Sequence, residues 1–209
     1  MNRKFFAVAS VSALLLTGCG SAAAPASAPD VTPIASSSAT PSSEASPERE
    51  TKRSDRGNAI KELGQTAWME TEEGDTMVSF VVKDIKTDIK CNMGYPAKPD
   101  NGHLIAVKMD VDVKKAFADP DNPGLTFPTD SYSWKFVSKN GTTFNGDLGS
   151  DASINCLDDK ETLPSGGIGP AQKATGLVVL DVPATTGTLI FDIYGNGGWE
   201  YELKEKANA

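Results

Sequence analysis

"HLIAVKMDVDVK", His103 to Lys114, sets Ile105, Val107, Met109, Val111 and Val113 in alternation with Ala106, Lys108, Asp110, Asp112 and Lys114. Successive side chains leave a β-strand on opposite sides, so a period of two predicts a strand with one face buried and one in water. The same period runs through "TMVSFVVKDIK" from Thr76, where Val78, Phe80 and Val82 share a face, and through "SYSWKFV", where Tyr132, Trp134 and Phe136 do. Thr66 to Glu70, Leu177 to Val182, Leu189 to Ile193 and Trp199 to Leu203 bring the set to seven or more strands. Asn140-Gly141 is the pair favoured in tight hairpins, and "GNGG", Gly195 to Gly198, sets up the last strand. Strands at this spacing, with no long amphipathic helix after the N-terminal region, predict an all-β fold over residues 58–209, an antiparallel sandwich. About 150 residues are enough for one domain that buries roughly two-thirds of its unfolded surface.

The N-terminal region has a different physics. Arg3 and Lys4 precede an apolar run, Phe5 to Leu16, and Leu16-Thr17-Gly18 lead into Cys19. That is the layout of a secretory signal, and the run falls short of the roughly twenty residues that cross a bilayer. Leu-x-Gly-Cys resembles the bacterial lipobox, which implies cleavage after residue 18 and lipidation of Cys19. A thiol suits that chemistry because its thiolate is a strong nucleophile, and two acyl chains anchor stably where one is marginal. From Gly20 to Pro47, 23 of 28 residues are Ala, Ser, Pro or Thr, a composition with too little apolar area to offset the entropy of folding. Residues 19–57 therefore read as a lipidated, disordered linker with a reach on the order of 35 Å. "ERETKRSDR", Glu48 to Arg56, mixes both charges and reads as a solvated juncture.

Losing Arg3 and Lys4 takes the formal charge from −8 to −10. All fourteen basic residues after Arg56 are lysine, and the planar fork that grips phosphate is missing from the domain, so no nucleic-acid partner is expected.

Cys91 and Cys156 lie 65 positions apart in an exported domain and are expected to form a disulfide that stabilises the fold by roughly 4 kcal/mol. Two free thiols, or a redox or metal role, are the alternatives; neither cysteine sits in a Cys-x-x-Cys arrangement.

The blocks "LGQTAWMETEEGDTMVSFVVKDIK", "GHLIAVKMDVDVKKAF", "YSWKFVSKNGTTF", "LPSGGIGPAQKATGLVVLDVP" and "TLIFDIYGNGGWEYEL" resemble an immunoglobulin-like domain family of exported lipoproteins from Gram-positive bacteria. That domain is similar to the mycobacterial secreted immunogenic antigen. The resemblance covers nearly all of residues 63–203 and implies an immunoglobulin-like β-sandwich, extracellular exposure and no catalytic residue. Ala116 to Ser131 and the cysteine pair are less typical of the family, so a ligand specific to this protein is looked for there.

Candidate chemistry is sparse. "DPDNPGLTFPTD" puts Asp119, Asp121, Gly124 and Asp130 at calcium-loop positions 1, 3, 6 and 12, but Pro123 replaces an oxygen ligand at position 5 and no flanking helices are evident. These residues are weak metal candidates beside an ordinary turn. Asp147, Asp151, Asp158 and Asp159 surround Cys156 as solvated loop charges, with paired-carboxylate chemistry the alternative. His103 reads as a strand-edge residue, since one histidine makes neither a zinc site nor a triad without partners. Trp199 and Tyr201 lie on one side of the last strand and Glu200 and Glu202 on the other. At a sheet edge that strand would accept an added peptide strand, although core packing explains the aromatics and edge protection the glutamates. The sequence thus predicts a non-enzymatic lipoprotein on the extracellular face of a bacterial cell membrane. It needs no cofactor and binds a protein or envelope component; the alternative is a solute- or calcium-binding accessory to a transporter.

Overall fold

The alternating stretch is the fourth of eight strands in the computed structural model, which describes residues 52–204 apart from Tyr95, Pro96 and Asn196. Cys19, the signal region and nearly all of the linker lie outside the described residues. The strands are β1 (Ala59–Ile60), β2 (Thr66–Glu70), β3 (Thr76–Thr87), β4 (His103–Val113), β5 (Trp134–Val137), β6 (Gln172–Val182), β7 (Gly187–Phe191) and β8 (Trp199–Leu203). They form two four-stranded sheets ordered β2-β3-β4-β6 and β1-β8-β7-β5. Every pair is antiparallel except β1 with β8. The fold is an all-β sandwich.

The inward residues of both sheets meet in one core. Val78, Phe80 and Val82 of β3, and Ile105, Val107, Met109, Val111 and Val113 of β4, are buried there with Trp134, Phe136, Leu189, Phe191 and Tyr201. Phe80 stands edge-on to Phe191 and Trp199 at 5.3 and 4.8 Å between ring centroids, the geometry that brings a ring's positive edge to its neighbour's negative face. Leu125 and the buried Phe117 and Phe127 also join this core, and Phe127 exchanges backbone hydrogen bonds with Ile168. Ala116 to Ser131 is thus sewn into the sandwich. Tyr132 is 74% exposed on a 3-10 turn, Ser131–Ser133, capped by Asp130; the strand expected from Ser131 begins only at Trp134.

On the outer face of β4 the alternation holds for half its length. Toward the end of β4, Asp110 accepts from Thr175 and pairs with Lys83, and Asp112 pairs with Lys114 and Lys173. Hydrogen bonds from Lys83 and Thr175 hold the Asp110 carboxyl below the usual range, and those from Lys114 and Lys173 do the same for Asp112. Nearer the start, Leu104 and Ala106 are 5% and 3% exposed, although Ala106 falls on the face expected in water. Leu104 and Val179 bury themselves under Ala152, Cys156 and Leu157 in a second apolar cluster.

That cover is a short helix, α1 (Asp151–Ile154), whose Ser150 and Ser153 side chains satisfy each other's backbone N–H groups as a capping box. The Cys91–Cys156 disulfide pins it, and the Asn92 and Met93 N–H groups both donate to the Cys156 carbonyl. Two apolar faces on one sheet explain the apolar run "LVVL", Leu177 to Leu180, of β6, since a strand covered on both sides loses its polar alternation.

Candidate functional site

The chain ahead of β1 is built into the domain by Glu200. Glu200 sits on the outward side of β8, where the sequence predicts solvent, yet it is 4% exposed. The reason is a polar cover folded over it. Ser54 Oγ, Arg56 Nε and Asn58 Nδ2 all donate to Oε1 at 2.8 Å, and Arg56 Nη2 donates to Oε2 at 2.6 Å. Burial pushes the Glu200 carboxyl upward, but these hydrogen bonds and the Arg56 charge outweigh it, and its pKa falls below the ordinary value. Burial without neutralisation is tolerated here because the guanidinium fork meets both oxygens. β8 is consequently no edge: β1 runs beside it, and Arg53 bridges to Ala59 on the far side of β1. Glu200 holds the fold together where edge protection was expected, and packing extends ahead of residue 58.

Past β1 the seam between the sheets opens. The Lys61 N–H donates to the Glu200 carbonyl and the Gly64 N–H to Val82, so residues 61–64 carry the chain from the β8 side to the β3 side. β3 and β8 both continue beyond this crossing, and the space between their ends is a cavity of about 630 Å³. Ile85, Leu203 and Tyr201 form its walls with Ile60 and Leu63 from the crossing. Ile60 and Leu63 are 36% and 47% exposed. Lys52, Lys61 and Lys204 also line it, as do Glu62 and Glu202. Lys61 Nζ donates to the Thr66 carbonyl at 2.9 Å and lies 4.3 Å from the Trp68 ring centroid; Lys204 faces Glu202 at 3.5 Å. The Tyr201 hydroxyl is buried without a hydrogen-bond partner, and burial pushes the phenol far above its ordinary pKa, keeping the proton. The volume falls within the range of small-molecule sites.

The residues singled out by sequence lie elsewhere and are not gathered. Asp119 accepts from the Asp121 N–H in a tight turn, while Asp130 caps Ser133. No group of three or more His, Cys, Asp or Glu suited to a metal ion occurs among the described residues. Asp147 accepts from the Gly149 N–H, Asp158 from Lys160, and Asp151 opens α1. His103 Nδ1 lies 2.7 Å from Asp88 Oδ1, on a pair 39% and 64% exposed. Asp88 has φ 52°, in the left-handed region that Asp tolerates better than most residues.

The cavity was missed because it arises from unequal strand lengths. Five residues of β2 pair with a β3 of twelve, and nothing in the sequence of β3, whose register against β4 shifts between Val82 and Asp84, marks where its partner on the other side stops. No family model, curated protein or solved structure matches the chain.

Proposed function

We propose that the protein is a non-enzymatic binding module of the immunoglobulin-like kind, anchored through Cys19 on the extracellular face of a bacterial membrane, that engages an envelope component or protein through the open seam. The observation that carries the reading is the cavity between the ends of β3 and β8, with exposed Ile60 and Leu63 at its mouth. Immunoglobulin-like character is supported by the strand order, in which β4 and β6 neighbour one another in one sheet and β8, β7 and β5 follow in the other, as B-E and G-F-C do in that fold. Trp134, 3% exposed on β5, occupies the strand that carries the buried tryptophan of immunoglobulin domains. The Cys91–Cys156 bridge departs from that pattern, since it ties loops over an outer face rather than joining the two sheets.

A solute-binding role is favoured by the same cavity and differs only in the size of the guest. Intact mass spectrometry of the protein from native membranes tests the anchor: a chain beginning at acylated Cys19 is expected, and an unlipidated chain would refute it. Photocrosslinking from position 63 in intact cells tests the seam against position 139, on an exposed turn. A specific adduct from 63 is expected, and equal labelling from both positions would count against it.

A further inference from the structure

Three asparagines among the described residues precede a glycine, Asn101, Asn140 and Asn145, and the fold holds them differently. We propose that Asn145–Gly146 is a site of spontaneous covalent modification, where Asn145 passes through a cyclic imide to a mixture of aspartate and isoaspartate. The pair suits this chemistry because glycine, having no Cβ, leaves its backbone nitrogen open to the side chain before it. The Gly146 nitrogen gives its proton to hydroxide and bonds to Asn145 Cγ, the Cγ–Nδ2 bond breaks, and ammonia leaves. Water then opens the imide at either of its carbonyls. Opening at Cγ leaves an aspartate; opening at the main-chain carbonyl leaves an isoaspartate, whose main chain runs on through Cγ. Water is the only reactant consumed, and nothing is oxidised or reduced.

Hydrogen bonding separates the three. At Asn101 the leaving group is tied down: Nδ2 donates to the Asp147 and Asp181 carbonyls at 2.7 and 2.8 Å, and the backbone N–H donates to the Asp181 carboxylate. Swinging that amide toward Gly102 breaks both Nδ2 bonds, and each bond broken adds to the barrier. At Asn140 both partners are engaged. Oδ1 accepts from Ser138 Oγ and from the Thr142 N–H, while the nucleophile, the Gly141 N–H, donates to the Ser138 carbonyl at 2.9 Å. Asn145 and Gly146 are both exposed. Neither the Asn145 amide nor the Gly146 N–H has a hydrogen-bond partner among the described residues, so the attack there breaks none. The product carries a new negative charge, and isoaspartate lengthens the main chain two residues ahead of Asp147, whose carbonyl receives Asn101.

The test incubates the full chain, disulfide intact, in mildly alkaline buffer well below its melting temperature. Samples taken over time are digested at acidic pH, and fragmentation places each amide-to-carboxylate mass gain and distinguishes isoaspartate from aspartate. Asn145 is expected to convert at least tenfold faster than Asn101 and Asn140, to give isoaspartate together with aspartate, and to speed up as pH rises. In urea with the bridge reduced, all three are expected to convert at rates within about threefold of one another, because the protecting hydrogen bonds are gone. Asn145→Gln should abolish the gain at position 145, since the longer side chain cannot close the five-membered imide. A folded-state margin below tenfold for Asn145 over either neighbour would overturn the proposal. So would aspartate formed without isoaspartate, which marks direct hydrolysis, or a tenfold margin that persists in urea, which would take the selection away from the fold.

Discussion

Replacing Arg56 by alanine removes two of the four hydrogen bonds to Glu200 and the charge that neutralises it. Stripping the partner from a fully buried ion costs about 3–5 kcal/mol. The Arg56 side chain is 43% exposed, so water already screens part of the attraction and the figure must be reduced. Ser54 and Asn58 remain as donors. We expect a loss of about 2 kcal/mol at pH 7, or roughly 4–8 °C in melting temperature for a domain of this size.

The sign with pH follows from the direction of the shift. The folded-state pKa of Glu200 is depressed, so its stabilisation is fully present above the unfolded value and is lost as pH falls through the folded one. In Arg56→Ala, burial dominates and the folded value rises. The gap between wild type and variant should therefore narrow from the pH at which the variant's carboxyl gains its proton down to that at which the wild type's does. Urea melts of wild type, Arg56→Ala, Glu200→Gln and the double variant supply the coupling energy. A coupling below about 0.5 kcal/mol, or a gap that does not change with pH, would refute the reasoning. Arg56→Lys keeps the charge and loses the fork, and should recover only about half of the loss.

Reducing the Cys91–Cys156 bridge, or replacing both cysteines by alanine, should cost up to about 4 kcal/mol in the chain-entropy model for a separation of 65 residues; a urea melt unchanged by reductant would oppose this. Tyr201→Phe removes a buried hydroxyl without a partner, so stability should hold or rise by up to about 1 kcal/mol, and a drop beyond 1 kcal/mol in the same melt would show that the hydroxyl has an acceptor. Gly176→Ala would set a Cβ 2.6 Å from the Thr162 carbonyl carbon and should cost about 1–3 kcal/mol; a neutral result would mean that the Thr162 backbone yields freely. Asp181 is fully buried and accepts the Asp100 and Asn101 N–H groups, so Asp181→Ala should cost about 1–3 kcal/mol, with faster amide exchange at residues 100 and 101 as the local sign.

The period of two in His103–Val113 was enough to read the strand and its inward face, because burial in the sandwich core imposes that period directly. It misassigned Ala106, since nothing in one strand records that a distant loop covers its outer side. The Leu177–Leu180 run carried that information in its missing alternation. Glu200 was misread for a related reason: a glutamate between Trp199 and Tyr201 looks solvated unless the guanidinium that neutralises it is known to fold across from position 56. The Cys91–Cys156 disulfide was legible from the cysteine count together with the expectation of export. The acidic clusters were legible as turn chemistry, because Asp119, Asp130 and Asp147 each serve a neighbouring backbone N–H.

Where a binding surface can lie follows from which edges and faces are already committed. The far side of β1 is closed by Arg53, β5 is bridged by Thr143, and β6 by Thr162, each a local device that denies strand addition at that point. The sheet containing β4 spends its inner face on the main core and half of its outer face on the disulfide-pinned helix, while the other half carries the ion pairs of Asp110 and Asp112. The gap lies past the ends of β1 and β2, which stop short of the strands they accompany. β2 ends at Thr66, opposite Val81, so β3 runs on past it to Thr87 beside the cavity that Ile85 and Leu203 line. The shortfall costs apolar burial that a domain of marginal stability would otherwise gain. The cavity and the exposed Ile60 and Leu63 beside it are the physical reason for proposing recognition at the seam rather than on either sheet face.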